Sequence, residues 1–141
     1  MEILKVSDKM LNKIEEFLLK LDTIKNIEKS FLLNGIVILD NDEIKGYMTY
    51  EEYIDYGLIR YFVFQKDIEF NYVRTMLKEL ARNASANEIK SFIALGKTDE
   101  IVELFTVLDF YIIDSGNIII NDKRPVEYRS NFGTILKYDI I

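Results

Sequence analysis

The sequence predicts an α+β domain of the three-layer α/β type. A central mixed, mostly antiparallel sheet of about seven strands would carry helices on both faces. Three observations predict it. Apolar residues recur at helical spacing in some segments and in β-type runs in others. Two turn signals join three consecutive β-type runs, which gives an antiparallel meander. A strand, a helix and another strand then follow, so those two strands run parallel. The 141 residues contain no linker, repeat or low-complexity tract and read as one domain, 1–141.

Each element has its own signal. Residues 2–6, EILKV, form a first strand. Asp8 is placed to cap a helix over 9–21, where Met10, Leu11, Ile14, Phe17, Leu18 and Leu21 share a face. Thr23 caps a second, shorter helix that turns Ile24, Ile27 and Phe31 inward. The β-branched run GIVILD at 35–40 is the next strand, Asn41-Asp42 a turn, and 43–53 a long strand. Asp55-Tyr56-Gly57 is a second turn before the strand LIRYFVF, 58–64. The following helix buries Phe70, Val73, Met76, Leu77, Leu80 and Ala81 and loosens at Asn83–Asn87. Strand 89–95, a helix over 99–108, and terminal strands in FYIID, GNIIIN and GTILKYDII complete the chain, with a loop around Asn121 to Pro125.

Composition excludes several chemistries. There is no cysteine and no histidine, which removes disulfides, thiol nucleophiles, Cys/His metal sites and histidine acid–base catalysis. No metal is expected. The net charge is −6 and no Lys/Arg cluster is present, so nucleic acid is not an expected partner. No run approaches the roughly 20 apolar residues of a membrane span. The start MEILKVSDKM lacks the apolar stretch of a secretory leader, and a cytoplasmic location is expected.

One junction carries the functional reading. YFVFQKDIEFNYVRTMLKEL, 61–80, passes from an aromatic strand into a helix. A helix start offers unpaired amides and a positive dipole end to a phosphate. The element order resembles the GNAT family of N-acetyltransferases over nearly the whole chain. That family carries a V-x-P-x-x-R/Q-G-x-G-x-G/A pattern here, followed by a leucine pair. Val63 and Met76-Leu77 match. Gln65 stands at the proline, Ile68 at the Arg/Gln, and Glu69, Asn71 and Val73 at the glycines. In TDEIVELFTVLDF, 98–110, Leu104, Leu108 and Phe110 fit a second family pattern. There Thr98 replaces an asparagine, Ile101 an alanine, Phe105 a tyrosine and Asp109 a glycine.

The resemblance implies a splayed parallel strand pair and a bound acetyl-CoA, or other acyl-CoA, in the gap. It implies cofactor contacts from Phe62, Val63 and Phe64, from Phe70, Asn71, Tyr72, Val73 and Arg74, and from Thr98 and Phe105. The implied activity is direct acyl transfer to a small-molecule or peptide amine. Alternation along 43–53 puts Tyr47, Thr49, Glu51 and Tyr53 on one face, and Glu51 with Tyr53 is the candidate catalytic pair. A solvated sheet face is the structural reading of the same residues. The tyrosines of this hairpin, or the C-terminal strands, offer a homodimer surface. The replaced glycines and Phe105 favour an alternative: a catalytically inactive GNAT-fold module that binds a ligand or protein. An unrelated α+β interaction domain is the third reading, expected if strands 58–64 and 89–95 pair throughout.

Overall fold

The β-type runs join into one seven-stranded sheet in the computed structural model, which describes residues 1–21, 26–113 and 133–140. The strands are β1 (Glu2–Lys5), β2 (Ile36–Asp40), β3 (Glu43–Glu52), β4 (Tyr56–Phe64), β5 (Ser91–Gly96), β6 (Tyr111–Ile113) and β7 (Thr134–Asp139). Their order is β1-β2-β3-β4-β5-β7-β6. Among the described strands only β4 and β5 run parallel; the other neighbours are antiparallel. The helices are α1 (Leu11–Leu19), α2 (Phe70–Ala86) and α3 (Asp99–Val107).

Alternation along the strands divides the core between two faces. Ile36, Ile38, Met48, Tyr50 and Phe92 pack with Val73, Met76, Leu77 and Leu80 of α2 and Phe105 of α3. Val37, Ile44 and Tyr47 face the other way, against Ile14 and Leu18 of α1. Burying such side chains contributes about 1.5–3 kcal/mol each, which is why α1 and α2 keep their apolar stripes on the sheet. The sequence-predicted alternation of Tyr47 and Thr49 against Met48 and Tyr50 is the one observed. Asn41 and Asp42 take φ of 51° and 66°, the left-handed pair of a tight hairpin turn.

Several boundaries differ from expectation. Asp8 does not cap α1; it opens a short 3-10 turn, Asp8–Met10, that leads into the helix. Thr23 and Ile24 lie outside the described residues, and 26–31 are not helical. Phe31 is buried there all the same, ahead of a 3-10 turn at Leu32–Asn34. Tyr56 and Gly57 belong to β4 and not to the turn, because Tyr53 N–H donates to Tyr56 C=O and closes the hairpin earlier. Helix α2 runs on through Asn83 to Ala86, since Ala81 and Ala84 still have a sheet face to bury. The expected GNIIIN strand and the Asn121–Pro125 loop lie outside the described residues.

Strand β4 contains a bulge. Tyr47 pairs with Val63 and Thr49 with Arg60, so Tyr61 and Phe62 stand opposite Met48 alone. Tyr61 takes φ 49°, a conformation that costs a non-glycine residue roughly 1–2 kcal/mol. Its side chain offsets part of that. The hydroxyl accepts from Glu28 N at 2.9 Å, and the ring lies 5.7 Å from that of Phe31.

Candidate active site

The parallel ladder between β4 and β5 is short. Tyr56 pairs with Ser91, Gly57 with Phe92 and Leu58 with Ile93, and no pair follows. Strand β5 is committed over its whole length to β7, from Ser91–Asp139 to Gly96–Thr134. Strand β4 follows β3 through the bulge. The two part, and a cavity of about 510 Å³ fills the wedge.

Its walls come from Ile59, Arg60, Tyr61 and Phe62 of β4, Leu95 and Lys97 at the end of β5, and Ile101, Leu104 and Phe105 of α3. Ile59 and Phe62 belong to the α2 face, whereas Tyr61 packs on the α1 side. The cavity therefore reaches both faces of the sheet. Phe62 and Phe105 meet inside it, ring centres 5.5 Å apart.

Beyond the wedge lies the start of α2. Its N-cap, Glu69, is extended, and among the described residues no side chain caps the helix. The first turn holds no acid, and Asp67 and Glu69 are exposed, so neither carboxylate plugs the tip. Arg74 sits over the Phe70 ring at 5.1 Å. Phe70 also lines a shallow groove of about 300 Å³ with Glu100, Glu103, Leu104 and Val107. The mouth of the wedge on this side is thus acidic.

On the α1 face, Arg60 Nη1 donates to Glu51 Oε1 at 2.8 Å. The guanidinium also lies 5.1 Å from the ring centre of Phe31 and 5.8 Å from that of Tyr61. Such a charge-assisted bond, with ring faces on the guanidinium, holds Arg60 in place. Tyr53 is half-buried and stacks on Tyr56, ring centres 5.0 Å apart. Burial, and then the charges of Tyr53, Glu51 and Asp55, push the Tyr56 phenol up to about 12. Its hydroxyl and Asp55 Oδ1 are buried without a hydrogen-bond partner among the described residues.

The structure brings some of the candidate residues together. Phe62 and Phe105 line the cavity. Glu51 reaches it through Arg60, and Tyr53 lies beside Tyr56 on the same hairpin. Val63 and Phe64 lie further along β4, beside a separate hollow against α1. Phe70 is in the outer groove; Asn71 is exposed, Tyr72 and Arg74 are half-buried, and the Val73 side chain is in the core. Thr98 caps α3, its hydroxyl accepting from Ile101 N at 3.2 Å. Sequence reasoning did not single out Ile59, Leu95, Lys97 or Leu104 as lining residues. The available signal was position: Leu95 and Lys97 stand at the carboxyl end of a parallel strand, where ligands collect in open sheets.

No protein-family model matches the chain, and no curated protein matches it in sequence. Solved structures do resemble it. N-acetylglutamate synthase from Neisseria gonorrhoeae, complexed with coenzyme A and N-acetyl-glutamate, superposes with a TM-score of 0.76 at 16% identity over 99% of this chain. This chain spans only 35% of that synthase. An acetyltransferase of the GNAT family from Staphylococcus aureus Mu50 gives 0.71 at 10% identity, covering 99% of each chain. Tetrahymena GCN5 gives 0.70 at 12% identity, covering 100% of this chain and 97% of the other. The fold is that of the GNAT acetyltransferases, with the expected parallel pair at β4 and β5.

Proposed function

We propose, from the premise of a GNAT fold, that this protein is an acyl-CoA-dependent N-acyltransferase moving an acetyl group directly onto an amine. The observation that carries the reading is the parting of β4 from β5 beyond Leu58 and Ile93. It leaves a strand edge open to an extended ligand, next to an uncapped helix start.

The residues fit one part of acyl-CoA better than another. Unpaired backbone groups along β4 suit a pantetheine arm added as an extra strand, and Ile59, Phe62, Leu104 and Phe105 give it apolar walls. Free amides at the α2 start suit a phosphate. The side chains nearby suit it less: Asp67, Glu69, Glu100 and Glu103 are all exposed acids. A like charge about 4 Å from a phosphate costs roughly 1 kcal/mol in water, which weakens binding without abolishing it.

Bound acyl-CoA would supply a thioester carbon open to attack by an amine. The protein's part is to hold the reacting groups together and manage one proton. In the proposed reaction the amine nitrogen bonds to the acyl carbon and the carbon–sulfur bond breaks. Glu51 takes the amine proton through one water, and Tyr53 walls the acceptor side. The departing sulfur takes its proton from water, as Phe105 has none to give.

A second reading, a catalytically silent module of the same fold, is favoured by Phe105. It is buried and packed against Phe62 and Phe110, where it offers no proton. Two measurements separate these readings. Ligand at about 100 times its dissociation constant adds roughly 2.7 kcal/mol, so acetyl-CoA should raise the melting temperature by several degrees. Release of free CoA in the presence of a panel of amines then marks turnover. A shift without release supports the silent module; no shift at millimolar acetyl-CoA overturns acyl-CoA as ligand.

A further inference from the structure

We infer that the acceptor is an amine bearing its own carboxylate, of the amino-acid class, seated by Arg60. This rests on the transferase reading and names its substrate class. The chain has 24 acidic residues against 18 basic ones, yet among the described residues no carboxylate lines the cavity. Among those residues its charged lining is Arg60 and Lys97. With Arg60 paired to Glu51, Lys97 leaves that wall a positive excess, which favours an acid over a polyamine.

Arg60 is the more selective of the two. A planar fork of five N–H donors matches a carboxylate, and Glu51 engages one nitrogen of it, Nη1. Glu51, Phe31 and Tyr61 hold the fork in place, so seating a carboxylate orders little further. The bulge sets Arg60 beside the wedge on the α1 face, opposite the side on which α2 offers its amides. An amine close to the carboxylate that Arg60 holds then faces the wedge, with Glu51 near its positive charge. The pair Glu51–Arg60 thus matches the two charges of an amino acid.

The test compares each of a panel of L-amino acids with its own carboxamide, which keeps the amine and removes the acid. Binding is read by isothermal titration, and turnover by acetyl-CoA-dependent thiol release. The acids should bind and turn over at least about tenfold better, the scale of a hydrogen bond to a charged group. Arg60→Gln should remove the preference, acid and carboxamide then being used alike, and Arg60→Lys should retain part of it. If the glutamine variant does not fold, the lysine variant alone decides. Equal use of acid and amide, no binding of any acid, or a preference that survives loss of the guanidinium overturns the inference. Failure of the transferase reading looks different: acids bind through Arg60, and no amine releases thiol.

Discussion

Strands β4 and β5 are closed at one end and open at the other, and the two halves differ in kind. In the closed half Tyr56, Leu58 and Ile93 are between 0% and 2% exposed, and Gly57 admits the Tyr50 and Phe92 rings, 5.4 Å apart. In the open half Ile59 and Arg60 are only half-buried, and Tyr61 holds φ 49°. The cleft is therefore not a weak spot in a uniform sheet. A bulge bends one strand toward β3, and a full ladder with β7 holds the other. The closed half keeps the wedge from travelling further.

The sharpest way to break this comparison is to weaken the closed half. Leu58→Ala removes a fully buried side chain packed with Tyr56, Ile93 and Ile135. It should cost about 2–5 kcal/mol, a fall in melting temperature of roughly 10 °C. Phe62→Ala in the open half, where the ring is half-buried, should melt closer to wild type and lose more in acetyl-CoA affinity. Thermal melts and titrations of both variants check the pair. Equal destabilisation would mean that the two halves are alike.

Gly57→Ala attacks the same region by overfilling it. A Cβ there would lie 2.7 Å from Tyr50 Cδ2 and 3.1 Å from Phe92 Cδ1, both on buried rings. The ladder would have to shift, at a cost of about 1–3 kcal/mol. A chemical denaturation curve measures it, and an unchanged midpoint would show room that the packing does not provide.

How legible all this was in the sequence depends on what marks each feature. Period and turn residues mark strands well: Asn41-Asp42 announces its hairpin, and 35–40 and 89–95 stand out as apolar runs. The bulge carries no such mark. Tyr61 replaces the glycine or asparagine that would advertise positive φ, and tertiary contacts to Glu28 and Phe31 sustain it. The end of α2 is hidden in the sequence because Asn83, Ser85 and Asn87 are weak helix formers, while Ala84 at 0% exposure decides the matter by packing. At the site, Phe62 and Phe105 were reached through the family resemblance. Lys97 was not, since a lone lysine after a glycine looks like any exposed residue.

Smaller effects should come from the mouth of the wedge. Glu100 and Glu103 line the groove beside Phe70 and repel an anionic ligand. Glu103→Lys should tighten binding of CoA by about 1 kcal/mol, near fivefold, at low ionic strength. The gain should shrink at 0.5 M salt, where screening shortens the reach of exposed charges. Titration at the two salt concentrations checks both points. No gain at low salt would place the nucleotide away from this groove.

The finest test returns to the closed half and to the Tyr56 hydroxyl. Among the described residues this buried hydroxyl has no partner, so it gains nothing for the water it has lost, and Tyr56→Phe should be neutral or stabilising by up to about 1 kcal/mol near neutral pH. The sign reverses the usual expectation for losing a polar group. In alkali the difference should grow. Below pH 10 the phenol keeps its proton whether the chain is folded or not. Above it the unfolded chain releases the proton, while burial holds it in the folded protein up to about 12. Stability must therefore fall as pH rises from 10 to 12. Tyr47 and Tyr50, also raised by burial, contribute to the same fall in both proteins. Phenylalanine at 56 removes one share of it. Melts between pH 8 and 12 should then show a shallower decline for the variant. Parallel declines would mean that water reaches the hydroxyl, and that the seal between β4 and β5 leaks at its tightest point.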